Sequence, residues 1–104
     1  MHLGVVSGTV VSNHKDPRLT GYKFLIVRQV NLKGEPTAAY VVAVDAVGVG
    51  PGEYVLYATG SSARQTDSTE GRPVDATVIA IVDMWEIEGQ VMYQKDVPLA
   101  VHES

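Results

Sequence analysis

Three glycines alternate with other residues at positions 48, 50 and 52, and such a run could form a phosphate-binding loop. Loops of that kind hold phosphate with backbone N–H groups and lead directly into a helix. Here Glu53 follows the last glycine, and the strand-like sequence Tyr-Val-Leu-Tyr-Ala-Thr comes next. Because a carboxylate would repel a phosphate and no helix follows, we favour a tight turn. Pro51 presets φ at the second turn position and Gly52 accepts a positive φ at the third, which predicts a type II turn.

The sequence Gly-Ser-Ser-Ala-Arg at residues 60–64 is a second candidate, because a serine between small residues can be a nucleophile. A nucleophile elbow needs a second glycine where Arg64 stands, and a histidine base supported by a carboxylate. The three histidines, at positions 2, 14 and 102, lie near the termini or in a predicted loop. We therefore expect no catalytic residues. Ser61 or Ser62 would instead cap a short helical turn within residues 60–65.

Three aspartates beside apolar segments, Asp45, Asp75 and Asp83, are the candidates for a metal site. Asp75 and Asp83 are eight residues apart on one predicted strand, so they should point to the same side. A calcium ion needs six or more oxygen ligands, however, and the chain has no cysteine for a thiolate site. A lone aspartate at a strand end more often accepts a backbone N–H. We expect no metal and no cofactor.

The composition indicates one globular domain, since the chain has 104 residues, 45% of them hydrophobic and 19% charged. Twelve acidic residues outnumber eight basic ones, so the formal net charge is −4. That balance gives no basic surface for nucleic acid. No apolar run reaches the ~18 residues of a membrane span, and the first residues do not form a signal peptide. The expected location is the cytoplasm, with neither nucleic acid nor membrane as a partner.

Turn signals divide the rest of the chain into short β-type segments. We expect strands at residues 3–12, 23–31, 40–45, 54–59 and 74–86, then a tight hairpin with Gly89 in its turn. This spacing predicts an all-β fold, a small five-stranded antiparallel barrel with one short helical turn and a C-terminal hairpin. Tyr54 and Tyr57 should lie on opposite faces of their strand, so at least one should face outward or into an interface. Open strand edges and outward aromatics favour an oligomer.

Five motifs in register resemble the bacterial microcompartment vertex family, which contains the carboxysome and ethanolamine-utilisation vertex proteins. They lie at residues 8–11, 19–23, 44–56, 60–64 and 73–83, so the resemblance covers about residues 1–96. One mild departure is Val49, where the family tends to have alanine. The resemblance implies a barrel similar to the oligonucleotide-binding fold. We expect a single domain at residues 1–97 and a C-terminal tail at residues 98–104.

The resemblance also implies a structural, non-enzymatic function. Five identical subunits would form a ring that caps the vertices of a microcompartment shell in the cytoplasm, in contact with hexameric shell proteins. A hexamer is the less favoured oligomer. The expected structural turn is Pro51-Gly52, and the residues expected at the subunit interface or central axis are Gly48, Gly50, Gly60, Ser61, Ser62, Ala63 and Arg64. The alternative function is an OB-like module that binds nucleic acid or a small ligand.

Overall fold

Seven strands make up the fold in the computed structural model, which describes residues 1–11, 23–60 and 75–95. They are β1 (His2–Val10), β2 (Phe24–Val30), β3 (Pro36–Asp45), β4 (Tyr54–Thr59), β5 (Ala76–Ile81), β6 (Met84–Ile87) and β7 (Gln90–Gln94). The first five close into a barrel in the order β1-β2-β3-β5-β4, and β6 and β7 form a separate hairpin. The predicted all-β barrel and C-terminal hairpin are confirmed. The helical turn expected within residues 60–65 falls almost entirely outside the described residues.

The barrel interior is filled by side chains that alternate along each strand, as the pleat requires. Val27, Val55 and Val78 are completely buried there. Gly4 allows the walls to come this close together. A Cβ atom at Gly4 would overlap Val27 and lie 2.9 Å from the Tyr57 ring. A side chain at position 4 would therefore force β1 away from its neighbours.

The contact between β3 and β5 is the short seam of the barrel. All other pairs of neighbouring barrel strands are antiparallel, whereas β3 and β5 are parallel and pair at Val44–Thr77 and Asp45–Val78. Strand β3 continues for eight further residues beside β2. Along that length, no strand of the described part of the chain pairs with its other edge. The barrel is closed by this short seam, and the first eight residues of β3 have one unpaired edge among the described strands.

Strand β3 begins at Pro36, four residues before the predicted start at Tyr40. Ala38 and Ala39 have little intrinsic preference for strands, which is why the local sequence does not indicate this start. Contacts with β2 extend the strand. Arg28 Nε donates to the Thr37 carbonyl at 2.7 Å, and Thr37 Oγ1 donates to the Gln29 carbonyl at 3.0 Å.

The predicted single strand at residues 74–86 is wrong, because the chain divides there into β5 and β6. Strand β5 ends at Ile81, and the Val82 N–H donates to the Tyr54 carbonyl at 2.8 Å, one residue beyond the Val55–Ile81 pair. The Asp83 carbonyl then accepts from Lys95 N, which places Asp83 at the open end of the hairpin. Asp75 and Asp83 consequently do not share a strand.

The hairpin packs against the outside of the barrel through aromatic rings. Tyr93 stacks on Tyr54 with 4.0 Å between ring centroids, and Trp85 stacks on Tyr93 at 5.3 Å. Trp85 Nε1 also donates to the Leu32 carbonyl at 2.7 Å. Leu3 and Val5 on the outer face of β1 complete this cluster.

This packing corrects the expectation that Tyr54 or Tyr57 faces outward or into an interface, because the chain's own hairpin covers the outer ring. Tyr57 lies within the barrel core and is 4% exposed, and Tyr54 lies beneath the hairpin and is 7% exposed. The two rings do occupy opposite sides of the sheet, but the hairpin covers the outer one. Burial raises the pKa of both phenols because a phenolate would be poorly solvated there.

Candidate functional site

The glycine-rich loop at residues 45–53 is held by two carboxylates of the chain itself. Asp45 Oδ1 accepts from the N–H groups of Val47 at 2.9 Å and Gly48 at 2.8 Å, and its Oδ2 accepts from Val49 at 2.8 Å. Glu53 Oε1 accepts from the Gly50 N–H at 2.7 Å. The N–H groups that could have bound a phosphate are already used, and two negative charges lie beside them.

The second half of this loop is a tight turn. Glu53 N–H lies 3.4 Å from the Gly50 carbonyl and Gly52 has a φ of +82°, as a type II turn with Pro51 at its second position requires. Gly48 also has a positive φ, +81°, whereas Gly50 does not. No atom lies within 4 Å of where a Cβ would stand on Gly48 or Gly52. Glycine is therefore favoured at positions 48 and 52 because of the positive φ, and not because a side chain would lack room there.

The loop is fastened to the barrel on both sides. Gly52 N–H donates to the Val6 carbonyl at 2.9 Å, and Val6 N–H donates to the Glu53 carbonyl at 3.0 Å. Lys23 Nζ donates to the Val49 carbonyl at 3.2 Å, and the Val49 side chain is buried in the core. The result is a fixed corner with few side chains on its outer surface.

Glu53 also connects this loop to the end of the hairpin. Its Oε2 lies 3.1 Å from Lys95 Nζ, and both side chains are partly exposed. The hydrogen bond from Gly50 N–H, followed by the contact with Lys95, lowers the pKa of the Glu53 carboxyl. The carboxylate form is thus favoured in the folded protein.

A first exposed apolar surface lies on the outer sides of β2 and β3, and we call it the head face. Its members are Phe24, Ile26, Arg28, Tyr40 and Val42. Tyr40 and Val42 are 57% and 54% exposed, which is unusual for an aromatic and a branched aliphatic side chain on one strand. The Arg28 guanidinium lies 5.3 Å from the centre of the Tyr40 ring and carries the positive charge of this face.

A second such surface lies on the outer side of the hairpin, and we call it the tail face. It consists of Met84, Glu86 and Val91, with Asp83 at its edge. Met84 and Val91 are 45% and 42% exposed, and Val91 is directly opposite Glu86 in the ladder. Asp83 and Glu86 are both exposed, so this face is acidic.

Neither a catalytic site nor a metal site emerges from the described ranges, residues 1–11, 23–60 and 75–95. Within them, no group of three His, Asp or Glu side chains could hold a metal ion. An open groove of about 340 Å³ beside the N-terminus is lined mainly by apolar side chains such as Leu3, Leu32 and Leu56. His2, at its edge, stacks on Tyr57 at 5.1 Å. In that part of the chain there is likewise no helix long and apolar enough to cross a membrane.

The structure places some of the predicted interface residues and not others. Gly48 and Gly50 lie in the fixed loop, and Gly60 lies exposed at the end of β4 with a φ of +63°. Ser61, Ser62, Ala63 and Arg64 lie outside the described residues, as do the tail at residues 98–104 and all of the loop at residues 13–18. The assignment of Gly48, Gly50 and residues 60–64 to a subunit contact or the central axis stays a prediction.

Comparison with known proteins gives the family. A family model described as ethanolamine utilisation protein EutN/carboxysome matches residues 1–83, which is the whole barrel up to the start of β6. The chain belongs to this family. It is 45% identical over 95 residues to the carboxysome shell vertex protein CcmL of Gloeobacter violaceus, a match that covers 91% of this chain and 95% of that protein.

Solved structures support both the family assignment and the barrel fold. The structure of Gloeobacter violaceus CcmL superposes with a TM-score of 0.88 at 44% identity, covering 93% of this chain and all of that one. The pentameric microcompartment shell protein GrpN of Rhodospirillum rubrum superposes with a TM-score of 0.77 at 46% identity, covering 84% of this chain and 99% of that one. The resemblance inferred from the sequence motifs is confirmed.

Sequence reasoning found the glycine-rich loop but missed the two exposed faces. Tyr40 and Val42 alternate on β3 and could have indicated an apolar outer face. The tail face could not be assigned before the hairpin was known to pack with Trp85 and Tyr93 inward. Once that orientation is fixed, the alternation along β6 places Met84 and Glu86 outward.

Proposed function

We propose that this protein is a structural component of a bacterial microcompartment shell in the cytoplasm, and that five copies form a ring at each vertex. The observation that supports this most directly is the close likeness, over nine tenths of the chain, to a carboxysome shell vertex protein. The pentameric shell protein GrpN extends the likeness to a relative of known oligomeric state. Family membership and a matching barrel together favour the same assembly here.

The geometry of the molecule is compatible with such a ring. A head-to-tail contact between identical subunits closes into a ring of five when each contact rotates the next subunit by about 72°. That contact needs two different surfaces on one subunit. This chain has an open β3 edge and two separate exposed apolar faces. Its remaining edges would meet hexameric shell proteins, which form the flat facets that a vertex joins.

In this function the protein performs no catalysis and needs no cofactor. The glycine-rich loop has its N–H groups bound to Asp45 and Glu53, so it is a rigid corner and not a ligand site. We propose that Gly48, Gly50 and the segment at residues 60–64 lie close to the subunit contact or the central axis. The small side chains there would let neighbouring backbones approach each other.

Native mass spectrometry of the purified protein tests this function. We expect a single species with five times the 11.2 kDa chain mass. Analytical ultracentrifugation over a range of concentrations should show the same species before dissociation. A monomer at micromolar concentration would overturn the proposal, and a stable six-membered ring would overturn the vertex geometry.

A further inference from the structure

We infer that the head face of one subunit docks on the tail face of the next, and that this contact builds the ring. The inference rests on the proposed function, because it takes the partner to be a second copy of this chain. It assigns to the outer side of β2 and β3, and to the outer side of the β6–β7 hairpin, an interface that joins subunits head to tail.

The first argument is that both faces combine exposed apolar side chains with charge, as interface patches do. On the head face, Tyr40 and Val42 are more than half exposed. On the tail face, Met84 and Val91 are each more than 40% exposed. Burying all four against another subunit would remove apolar surface from water that the barrel itself leaves uncovered.

The second argument is charge complementarity. The head face carries the Arg28 guanidinium beside Tyr40 as its charged side chain, and in the turn that connects β2 to β3 the exposed Lys33 is balanced by the exposed Glu35. The tail face carries Asp83 and Glu86, and Glu88 is exposed in the hairpin turn. A basic apolar face and an acidic apolar face attract one another, whereas either face would repel a copy of itself. This favours a head-to-tail contact over a twofold one.

The third argument is the position of the two faces around the barrel. The hairpin covers the outer side of the seam between β1 and β4, through Leu3, Val5 and Tyr54, and it also reaches Val30 at the end of β2. The head face lies over the seam between β2 and β3. In the strand order β1-β2-β3-β5-β4 these seams are two positions apart out of five. Two positions is the largest separation that five seams allow, so the two faces lie on well-separated sides of the barrel and each can contact a different neighbour.

Two charged substitutions test this pairing. Val42→Glu places an acid on the head face, where the acidic tail face would repel it. Met84→Lys places a cation on the tail face, where Arg28 would repel it. Both positions are about half exposed, so we expect both variants to fold. Each variant alone should dissociate to monomers at a concentration at least about tenfold higher than wild type, because like charges at a contact are costly. Val42→Thr and Met84→Leu are the matched controls, and they should assemble as wild type does.

An equal mixture of the two variants gives the decisive result. The Val42→Glu subunit keeps an intact tail face, and the Met84→Lys subunit keeps an intact head face. We expect native mass spectrometry to show complexes that contain both variants, at concentrations where neither variant assembles alone. These complexes can grow beyond the dimer, because the other contact in the mixture sets the introduced Glu against the introduced Lys. A twofold contact through one of these faces would not produce this pattern, because the variant substituted on the other face would still pair with itself. Circular dichroism and Trp85 emission confirm folding, and Tyr40→Ser with Val91→Lys provides a second pair if either variant is unfolded.

The outcomes separate this inference from the proposed function. If wild type is a pentamer and both variants remain pentamers at wild-type concentrations, the contact lies elsewhere and the inference is wrong. The same holds if the variants are folded monomers but their mixture forms no mixed complexes. Those faces would then serve another partner, such as a neighbouring shell protein. If wild type is itself a monomer, both the inference and the proposed function are wrong.

Discussion

The loop at residues 45–53 and the β6–β7 hairpin are both attached to the barrel wall, and different interactions hold them there. The loop is held by hydrogen bonds from backbone N–H groups to the carboxylates of Asp45 and Glu53. The hairpin is held by the stacked rings of Tyr54, Tyr93 and Trp85. Hydrogen bonds are directional, so the loop has one defined backbone path. The stabilisation gained by burying rings depends mainly on the apolar area removed from water. The hairpin position is therefore determined by how well its rings fit the barrel surface beneath them.

This difference has a consequence for function. A fixed loop with few side chains suits a place where neighbouring backbones come close together. The aromatic cluster holds the β6–β7 hairpin on the barrel by its inner side. The outer side of the hairpin is then free to contact a partner. An ion pair between Glu53 and Lys95 joins the two regions. Substitutions in each region should therefore fail in different ways.

Loss of the Tyr93 ring should have the largest effect. Tyr93 is 8% exposed and contacts both Tyr54 and Trp85, so Tyr93→Ala should cost about 3 kcal/mol of unfolding free energy. Urea unfolding at fixed protein concentration, followed by Trp85 emission, measures this cost. The Trp85 emission should also shift to longer wavelength in native buffer, because the indole ring becomes more exposed to water.

The matched control for the ring is Tyr93→Phe, which keeps the stacking and removes the hydroxyl. It should cost no more than about 1 kcal/mol. If Tyr93→Ala is as stable as Tyr93→Phe, the hairpin does not depend on ring packing and the contrast with the loop is wrong.

Loss of the Asp45 carboxylate should have the next largest effect. Asp45→Ala leaves the N–H groups of Val47, Gly48 and Val49 without their acceptor, and we expect a cost of about 2 kcal/mol. Asp45→Asn keeps one acceptor oxygen and should cost about half as much. Urea unfolding measures both, and amide hydrogen exchange should speed up at residues 47–49. Native-like exchange rates there in Asp45→Ala would show that the loop is not held by this side chain.

The same contrast explains how much of the structure could be predicted from the sequence. Strand β4, Tyr54–Thr59, was predicted with its observed bounds, and the turn at Pro51 and Gly52 lies where the two residue types indicate. Local conformational preferences determine such features, so the local sequence contains them. The division between β5 and β6 was missed, because it depends on the pairing partners: β5 pairs with β3 and β4 in the barrel, whereas β6 pairs with β7.

The position of the hairpin could not be predicted from the sequence, for a related reason. The alternation rule correctly placed Tyr54 and Tyr57 on opposite sides of β4, but it could not show that Tyr93 covers the outer side. That contact joins residues 39 positions apart, and no periodic pattern marks it. The candidate faces follow only after this packing is known, because it decides which side of β6 meets solvent.

The ion pair between the two regions should have the smallest effect, and pH reveals it. The pKa of Glu53 is lowered in the folded protein by the Gly50 N–H and by Lys95. A carboxyl with a lowered folded pKa stabilises the protein fully at pH values above its unfolded pKa, near 4.5, and that stabilisation is lost as pH falls through the folded value.

Glu53→Gln keeps an acceptor oxygen for Gly50 N–H but removes the charge. It should lower stability slightly at pH 7 and flatten the decline between about pH 5 and pH 3. Lys95→Met, which removes only the partner, should flatten it less, because the hydrogen bond from Gly50 is the larger cause of the lowered pKa. Thermal unfolding of the three proteins across this pH range decides the matter. Parallel curves for all three would mean that Glu53 titrates alike in the folded and unfolded chains, and that the loop and the hairpin are not joined by this charge.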